Sequence, residues 1–159
     1  MSRARAQEGF SLIELLIVVA TMGIVAAIAI PNLLASRRAA YEGSAQSSLR
    51  TISTCELTYQ ATTGMGNYGD LTALGNMTLT DRVLASGVKS GYRFAATPSA
   101  PGVRPALYYA TAVPVITSGI SQTGTRRFGI SEDGIMHGDN TLTVYADEDA
   151  LKASATLGN

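Results

Sequence analysis

Two patterns of apolar residues divide this chain. From Phe10 to Ile30 the sequence reads FSLIELLIVVATMGIVAAIAI, apolar on every side of a helix. As a helix, this run of about 21 residues would extend roughly 31 Å, close to a bilayer hydrocarbon core of about 30 Å. Beyond it the apolar positions thin into a stripe. Leu33, Leu34, Ala39, Ala40, Ala45, Leu49, Ile52 and Tyr59 recur at mixed three- and four-residue steps, with Arg37, Arg38, Glu42, Gln46, Arg50 and Ser53 between them. The stripe predicts one long helix over 10–63, ended by the flexible break Gly64-Met65-Gly66-Asn67. About 50 residues is far above the usual 8–20 for a globular helix. The pattern therefore predicts a bare N-terminal half, 10–30, and a C-terminal half packed on a small head.

After Gly64 the period changes. Asn67–Gly75 reads as a connecting loop with a short helical turn. Tyr92–Ala96, Leu107–Val113, Arg126–Ile130 and Gly134–His137 read as strands, and Thr141–Tyr145 as a fifth. Glu132-Asp133-Gly134 is a hairpin-turn signal, and Ser99-Ala100-Pro101-Gly102 and Ser118-Gly119 mark other turns. Tyr108 and Tyr109 alternate, so one should face the core and the other outward. The expected class is α+β: a long helix on an antiparallel meander of about four strands, with the head spanning 64–159.

Composition narrows the chemistry. Twelve basic and 12 acidic residues balance, which gives no support for nucleic-acid binding over the whole surface. Cys55 is the single cysteine, so no intrachain disulfide can form; it falls at the edge of the helical stripe, where packing against the sheet is the expected role. A Cys–His pair would have to be Cys55 with His137, and nothing in the spacing joins them. No phosphate-binding glycine loop, CxxC or HExxH spacing is present. The sequence points away from an enzyme and calls for no cofactor.

The apolar run has three readings. Arg3 and Arg5 before it, and the small-x-small triplet Ala27-Ile28-Ala29, suit a cleaved secretory signal preceding a soluble binding domain. Its length suits a plain membrane anchor. The third reading is a segment that rests in lipid and then moves into a protein assembly. Glu14 discriminates. A carboxylate at the centre of a membrane helix costs roughly 2.5–3.5 kcal/mol on insertion scales, less near an end, and it calls for a partner. No Lys or Arg lies between Arg5 and Arg37. An α-amino group released by cleavage after Gly9 is a suitable cation. Four residues of helix rise, about 6 Å, separate that amine from Glu14 of the same chain, so a neighbouring subunit's amine is the better partner.

Gly9-Phe10-Ser11-Leu12-Ile13-Glu14, followed by the apolar run and Pro31, resembles the processing motif of type IV pilins and type II secretion pseudopilins. The likeness covers roughly Glu8 to Tyr41. It implies a leader over 1–9, cleavage between Gly9 and Phe10 by a prepilin peptidase, and N-methylation of Phe10. It implies that Glu14 pairs with the Phe10 amine of a neighbour during assembly, and that the helix loosens between Gly23 and Pro31 in the filament. Pro31 lacks the N–H that would bond to Ala27, and Gly23 adds backbone freedom; a static kink in a lipid-embedded helix is the alternative. The implied partners are identical subunits in a helical filament, the peptidase, an inner-membrane assembly platform and an ATPase. The implied route runs from inner membrane to an extracellular pilus, or to a periplasmic pseudopilus. Type IV pilin is the first reading and major pseudopilin the alternative. The pseudopilin reading draws on the missing disulfide loop and on the acidic residues Glu132, Asp133, Asp139, Asp147, Glu148 and Asp149. Major pseudopilins hold calcium in a C-terminal loop, but the spacing here fits no such loop, and solvated turns are the expected role.

Overall fold

The computed structural model describes residues 10–100 and 102–157. Gly9, the leader and Pro101 of the expected turn lie outside the described residues. The chain divides into an N-terminal unit ending at Ser36 and a second unit from Arg37 to Asn159. Helix α1, Leu12–Ala61, crosses that boundary. It starts and stops about two residues inside the expected limits. At its C-terminal end the chain passes through Met65 and Gly66, both at positive φ (50° and 84°). Gly64 and Gly66 N–H close back on the carbonyls of Tyr59 and Gln60, as at many helix ends. Arg104 then donates from Nη1 to the Gly66 carbonyl at 2.6 Å, fixing the turn from outside.

The short helix α2, Leu71–Asn76, is capped by Asp70, whose Oδ1 accepts the Ala73 N–H at 2.7 Å. Helix α3, Arg82–Ala85, is capped in the same way by Asp81. Both use a carboxylate to satisfy a helix-start N–H that has no intrahelical partner. Five strands follow: β1 Val88–Lys89, β2 Tyr92–Pro98, β3 Tyr108–Pro114, β4 Arg127–Ser131 and β5 Met136–Asp139. They form an antiparallel sheet in simple meander order. The Glu132-Asp133-Gly134 turn is where the sequence places it. Asp133 accepts from the Ser131 hydroxyl and the Ile135 N–H, and Gly134 takes φ +72°.

Thr141–Tyr145 is not a strand, contrary to expectation; the fifth strand is Val88–Lys89. The cause lies in Asp139, whose Oδ1 accepts the Thr141 N–H at 2.7 Å and turns the chain off the sheet edge. Arg127 holds Asp139 in a two-point fork at 2.8 and 2.9 Å, donates to the Thr143 carbonyl, and lies 3.7 Å from the centre of the Tyr145 ring. The edge of β5 is instead covered by the C-terminal tail: Gly138 N–H donates to Ala155, and Leu157 N–H to Met136.

The register sets Phe94 beside Ala112 beside Phe128, and Ala110 beside Ile130 beside Met136, all on one buried face. They share one core with Ala45, Leu49, Ile52 and Cys55 of α1 and Leu71, Leu74 and Leu84 of the connector. Fully burying each large side chain contributes about 1.5–3 kcal/mol, so this cluster is the main stabilising feature of the head. Tyr108 is buried and Tyr109 only partly so, as alternation requires. The Tyr108 hydroxyl donates to Ser53 of α1 at 2.9 Å. On the opposite face, helix α4, Glu148–Lys152, presses Leu151 onto Gly129; a Cβ there would sit 2.3 Å from Leu151 Cδ1. Glycine at 129 therefore permits the close approach.

Candidate processing and assembly segment

Phe10 and Ser11 precede α1, and Phe10 is 83% exposed. Ser11 stands at the N-cap, with its carbonyl accepting the Leu15 N–H at 3.3 Å. Glu14 is the third helical residue, and its Oε2 accepts the Ser11 N–H at 3.0 Å. Ser-x-x-Glu is the sequence form of a capping box, and this is its Glu half. The sequence reading missed that signal, having weighed only the Phe10 amine as a partner for Glu14. The side chain folds back over the first turn to the Ser11 N–H. Two physical effects favour it there: an otherwise unsatisfied N–H gains an acceptor, and the positive end of the helix dipole stabilises an anion.

The cap occupies one carboxylate oxygen and leaves Oε1 with no partner among the described residues. A carboxylate has about four acceptor sites across its two oxygens. Glu14 is thus oriented toward the N-terminal end of its helix with capacity to accept a second donor. Cleavage after Gly9 would make Phe10 the new terminus, one residue before the capped Ser11.

Along the rest of the N-terminal unit the apolar side chains are laid bare. Leu12, Ile13, Leu15, Leu16, Ile17, Val19, Met22, Ile24, Val25, Ile28, Ile30 and Leu33 are all exposed. A cluster of this size in water would be an aggregation hazard, so it marks a surface meant for lipid or protein. The segment qualifies by length and composition to cross a membrane. α1 is continuous through Gly23 and Pro31 in the single chain. A Cβ placed on Gly23 would meet nothing within 4 Å, so no contact within the described residues requires glycine there.

The second unit holds two acidic residues the sequence reading missed. Buried positions on α1 are Glu42, Ala45, Ser48, Leu49, Ile52, Cys55 and Glu56, whereas Leu33, Ala39 and Ala40 of the expected stripe are exposed. The stripe is displaced because Glu42 and Glu56 occupy core-facing positions. Their three- and four-residue spacing to Ala45, Leu49 and Ile52 was visible in the sequence, but their charge argued against burial. Glu42 escapes the cost through four hydrogen bonds. Oε1 accepts the Thr125 N–H and hydroxyl at 2.8 Å each, and Oε2 accepts Arg126 Nε and Nη2 at 3.0 and 2.8 Å. Burial pushes the Glu42 carboxyl up, but the Thr125 and Arg126 hydrogen bonds outweigh it and hold it below 4.5. Glu56 is 0% exposed, with Oε2 accepting the Gly69 N–H at 2.9 Å and Oε1 bare. Burial first, then the nearby Asp70 charge, raise it to about 7 against the opposing Gly69 hydrogen bond.

Most of the acidic residues near the C-terminus have structural partners. Asp139 pairs with Arg127, Glu132 and Glu148 pair with Lys152, and Asp147 caps α4. Among the described residues no three His, Cys, Asp or Glu side chains are grouped to hold a metal ion. Cys55 and His137 have separate partners. The Cys55 thiol donates to the Leu79 carbonyl at 2.9 Å, in the α2–α3 connector, and His137 Nδ1 lies 3.0 Å from the Ser154 carbonyl oxygen.

The sequence over residues 4–30 matches the prokaryotic N-terminal methylation motif. The chain has no significant match among curated proteins and none among solved structures. The motif match coincides with the capped start of α1 and with its exposed apolar half, and the head is a helix packed on an antiparallel sheet. The chain thus carries the prepilin-type signature of the type IV pilins and pseudopilins, substrates of prepilin peptidase, on a type IV pilin-like α+β architecture.

Proposed function

We propose that the protein is the structural subunit of a type IV pilus. Cleavage between Gly9 and Phe10 and N-methylation of Phe10 yield the mature chain, held in the inner membrane by 10–30 with its head outside the cytoplasm. Assembly transfers that segment from lipid to a bundle of identical helices. Lipid already satisfies apolar surface, so the favourable terms are close packing of small and branched side chains and one polar contact. That contact is Glu14 with the methylated Phe10 amine of a neighbour; methylation keeps the amine basic. A head-to-tail interface that does not close on itself propagates as a fibre. Gly23 to Pro31 is the stretch where the helix loosens to pack. An assembly platform and an ATPase complete the machinery, and the subunit acts without catalysis of its own.

The observation that carries this reading is Glu14, capping its own helix with one oxygen and leaving the other for a second donor at the start of an otherwise apolar, exposed segment. The experiment is deletion of the gene followed by electron microscopy of the cell surface and a secretion assay. Loss of surface fibres with intact secretion supports the pilus. Retained fibres with a secretion defect assign the subunit to a type II secretion pseudopilus instead, a reading favoured by the single cysteine, which precludes a disulfide-closed loop. Glu14→Gln, which keeps size and a hydrogen bond to Ser11 but removes the charge, is expected to abolish fibres while the processed subunit accumulates in the membrane. Normal fibre numbers in that variant would refute the pairing.

A further inference from the structure

The loop 115–123, between β3 and β4, is closed by its own hydrogen bonds. Thr123 N–H donates to the Ile116 carbonyl at 3.0 Å, and Ile116 N–H to the Thr123 hydroxyl at 3.2 Å. Within it Gln122 N–H donates to the Gly119 carbonyl, a turn that sets Ile120 at the tip. Ile120 is 81% exposed, and Val115 and Ile116 are exposed as well. Positions 113–125 hold no charged residue. The loop is fixed beside the first turns of α1 in the second unit. Gln122 Oε1 accepts from Arg38 Nη1 at 3.5 Å, and a Cβ on Gly91 would meet both Thr123 and Tyr41, at 2.8 and 3.4 Å.

Arg37 and Arg38 are the first charges after Glu14, and Arg37 follows Ile30 by seven residues. Seven residues are about 10 Å of helix rise. The polar layer outside the hydrocarbon of a bilayer is about 5–8 Å deep on each side, and an arginine head reaches such a layer along its own apolar stem. Arg37 donates from Nε to the Tyr41 hydroxyl at 2.7 Å, with Cζ 5.3 Å from the ring centre. These contacts orient the guanidinium and leave it further N–H donors. Among the described residues no carboxylate pairs with it. Glu42, the nearest acid along α1, is buried and committed to Thr125 and Arg126. Tyr41 is itself an amphipathic ring of the type enriched at membrane–water interfaces.

An uncharged loop with an apolar tip, beside basic side chains whose only nearby acid is already neutralised, matches an anionic bilayer surface. Apolar side chains enter the interfacial layer, and guanidinium groups take phosphate oxygens. The short tether from Ile30 keeps Arg37 within reach of that surface. A second copy of the chain is a poorer occupant, because a symmetric contact would set these basic side chains against their own kind. We propose that, before assembly, this part of the head docks on anionic phospholipid headgroups, with Ile120 in the interfacial layer and Arg37 on a phosphate. The docking rests on residues 10–30 lying in the membrane, as proposed above, and is the same for a pilus or a pseudopilus subunit.

The test is NMR of the full chain in nanodiscs, one chain per disc, with paramagnetic lipid labelled either at the headgroup or deep in the acyl chain. In discs containing phosphatidylglycerol, the headgroup label should broaden the amides of 115–122 well beyond that of Ile135, an exposed apolar residue in the β4–β5 turn at the opposite end of the sheet. Arg37→Gln, at an exposed position, should lower the ratio of docked to undocked head about fivefold, the effect of one charge near an anionic surface. Pure phosphatidylcholine should lower it at least as far, and Ile120→Ser about fivefold in phosphatidylglycerol. Broadening of 115–122 no greater than at Ile135, equal broadening in the two lipids, or wild-type broadening in either variant would each overturn the docking. So would loop signals that shift only when two chains share a disc, which would assign the surface to a second copy. The acyl-chain label reads the membrane placement separately. It should broaden 12–30 whether or not the head docks, and its failure to do so would overturn that placement and the docking with it.

Discussion

Glu56 offers a direct measurement of what a buried charge costs this head. It is fully buried, one of its oxygens has no partner, and its single hydrogen bond comes from Gly69. The carboxyl rises from an ordinary 4.5 to about 7. A folded-state pKa above the unfolded one means that folding favours the protonated form. The stabilisation is complete below about pH 4.5, declines as pH rises through about 7, and is absent above that. At about 1.4 kcal/mol per pKa unit, the total is about 3 kcal/mol. The perturbation is Glu56→Gln, which keeps the acceptor for Gly69 and cannot ionise. The assay is denaturant unfolding of the detergent-solubilised full chain from pH 4.5 to 8, followed by near-ultraviolet circular dichroism of the tyrosines. All other ionisable groups are common to both chains, so the difference in stability isolates Glu56. The variant should gain on the wild type by about 3 kcal/mol across this range, at a slope near 1.4 kcal/mol per pH unit between the two pKa values. Two stability curves that run parallel would refute the reasoning. They would mean that water or a counter-charge reaches Glu56 Oε1 in the folded chain.

Other substitutions test separate parts of the structure. Glu42→Ala strands the Arg126 guanidinium and the Thr125 N–H and should cost about 2–3 kcal/mol in denaturant unfolding, the half-exposed Arg126 tempering the loss. Because the Glu42 carboxyl is held below 4.5, its contribution is present above that pH and lost on acidification; Glu42→Gln should therefore flatten the acid limb of the unfolding curve. Gly124→Ala places a Cβ 1.9 Å from the buried Tyr92 hydroxyl, which donates to Arg126, and should destabilise by about 1–3 kcal/mol, seen as a lower melting midpoint. Mass spectrometry of the subunit from membranes should find a chain beginning at a methylated Phe10, and a bulky residue at Gly9 should leave the precursor uncut. A mature start at Ile30 would mark a secretory signal instead.

The reach of the sequence ended where physical effects ceased to be local. The apolar run and the Gly9–Glu14 motif are contiguous, and a helix satisfies its own backbone, so the long N-terminal helix could be read without knowing its surroundings. The Glu132-Asp133-Gly134 turn was legible for the same reason: Asp133 and Gly134 make the turn with groups two or three residues away. The capping box at Ser11 and Glu14 was equally local and was simply passed over. Tertiary structure decided the rest. Thr141–Tyr145 has strand-like composition, yet Arg127 and Asp139 divert it, and the two-residue Val88–Lys89 pairs with β2 instead. Glu42 and Glu56 lie on the buried face because Thr125, Arg126 and Gly69 meet them from segments distant in sequence. Helix and turn formation depend on neighbours within a few residues. Burial of a charge and the pairing of a strand depend on groups that only the completed fold brings together.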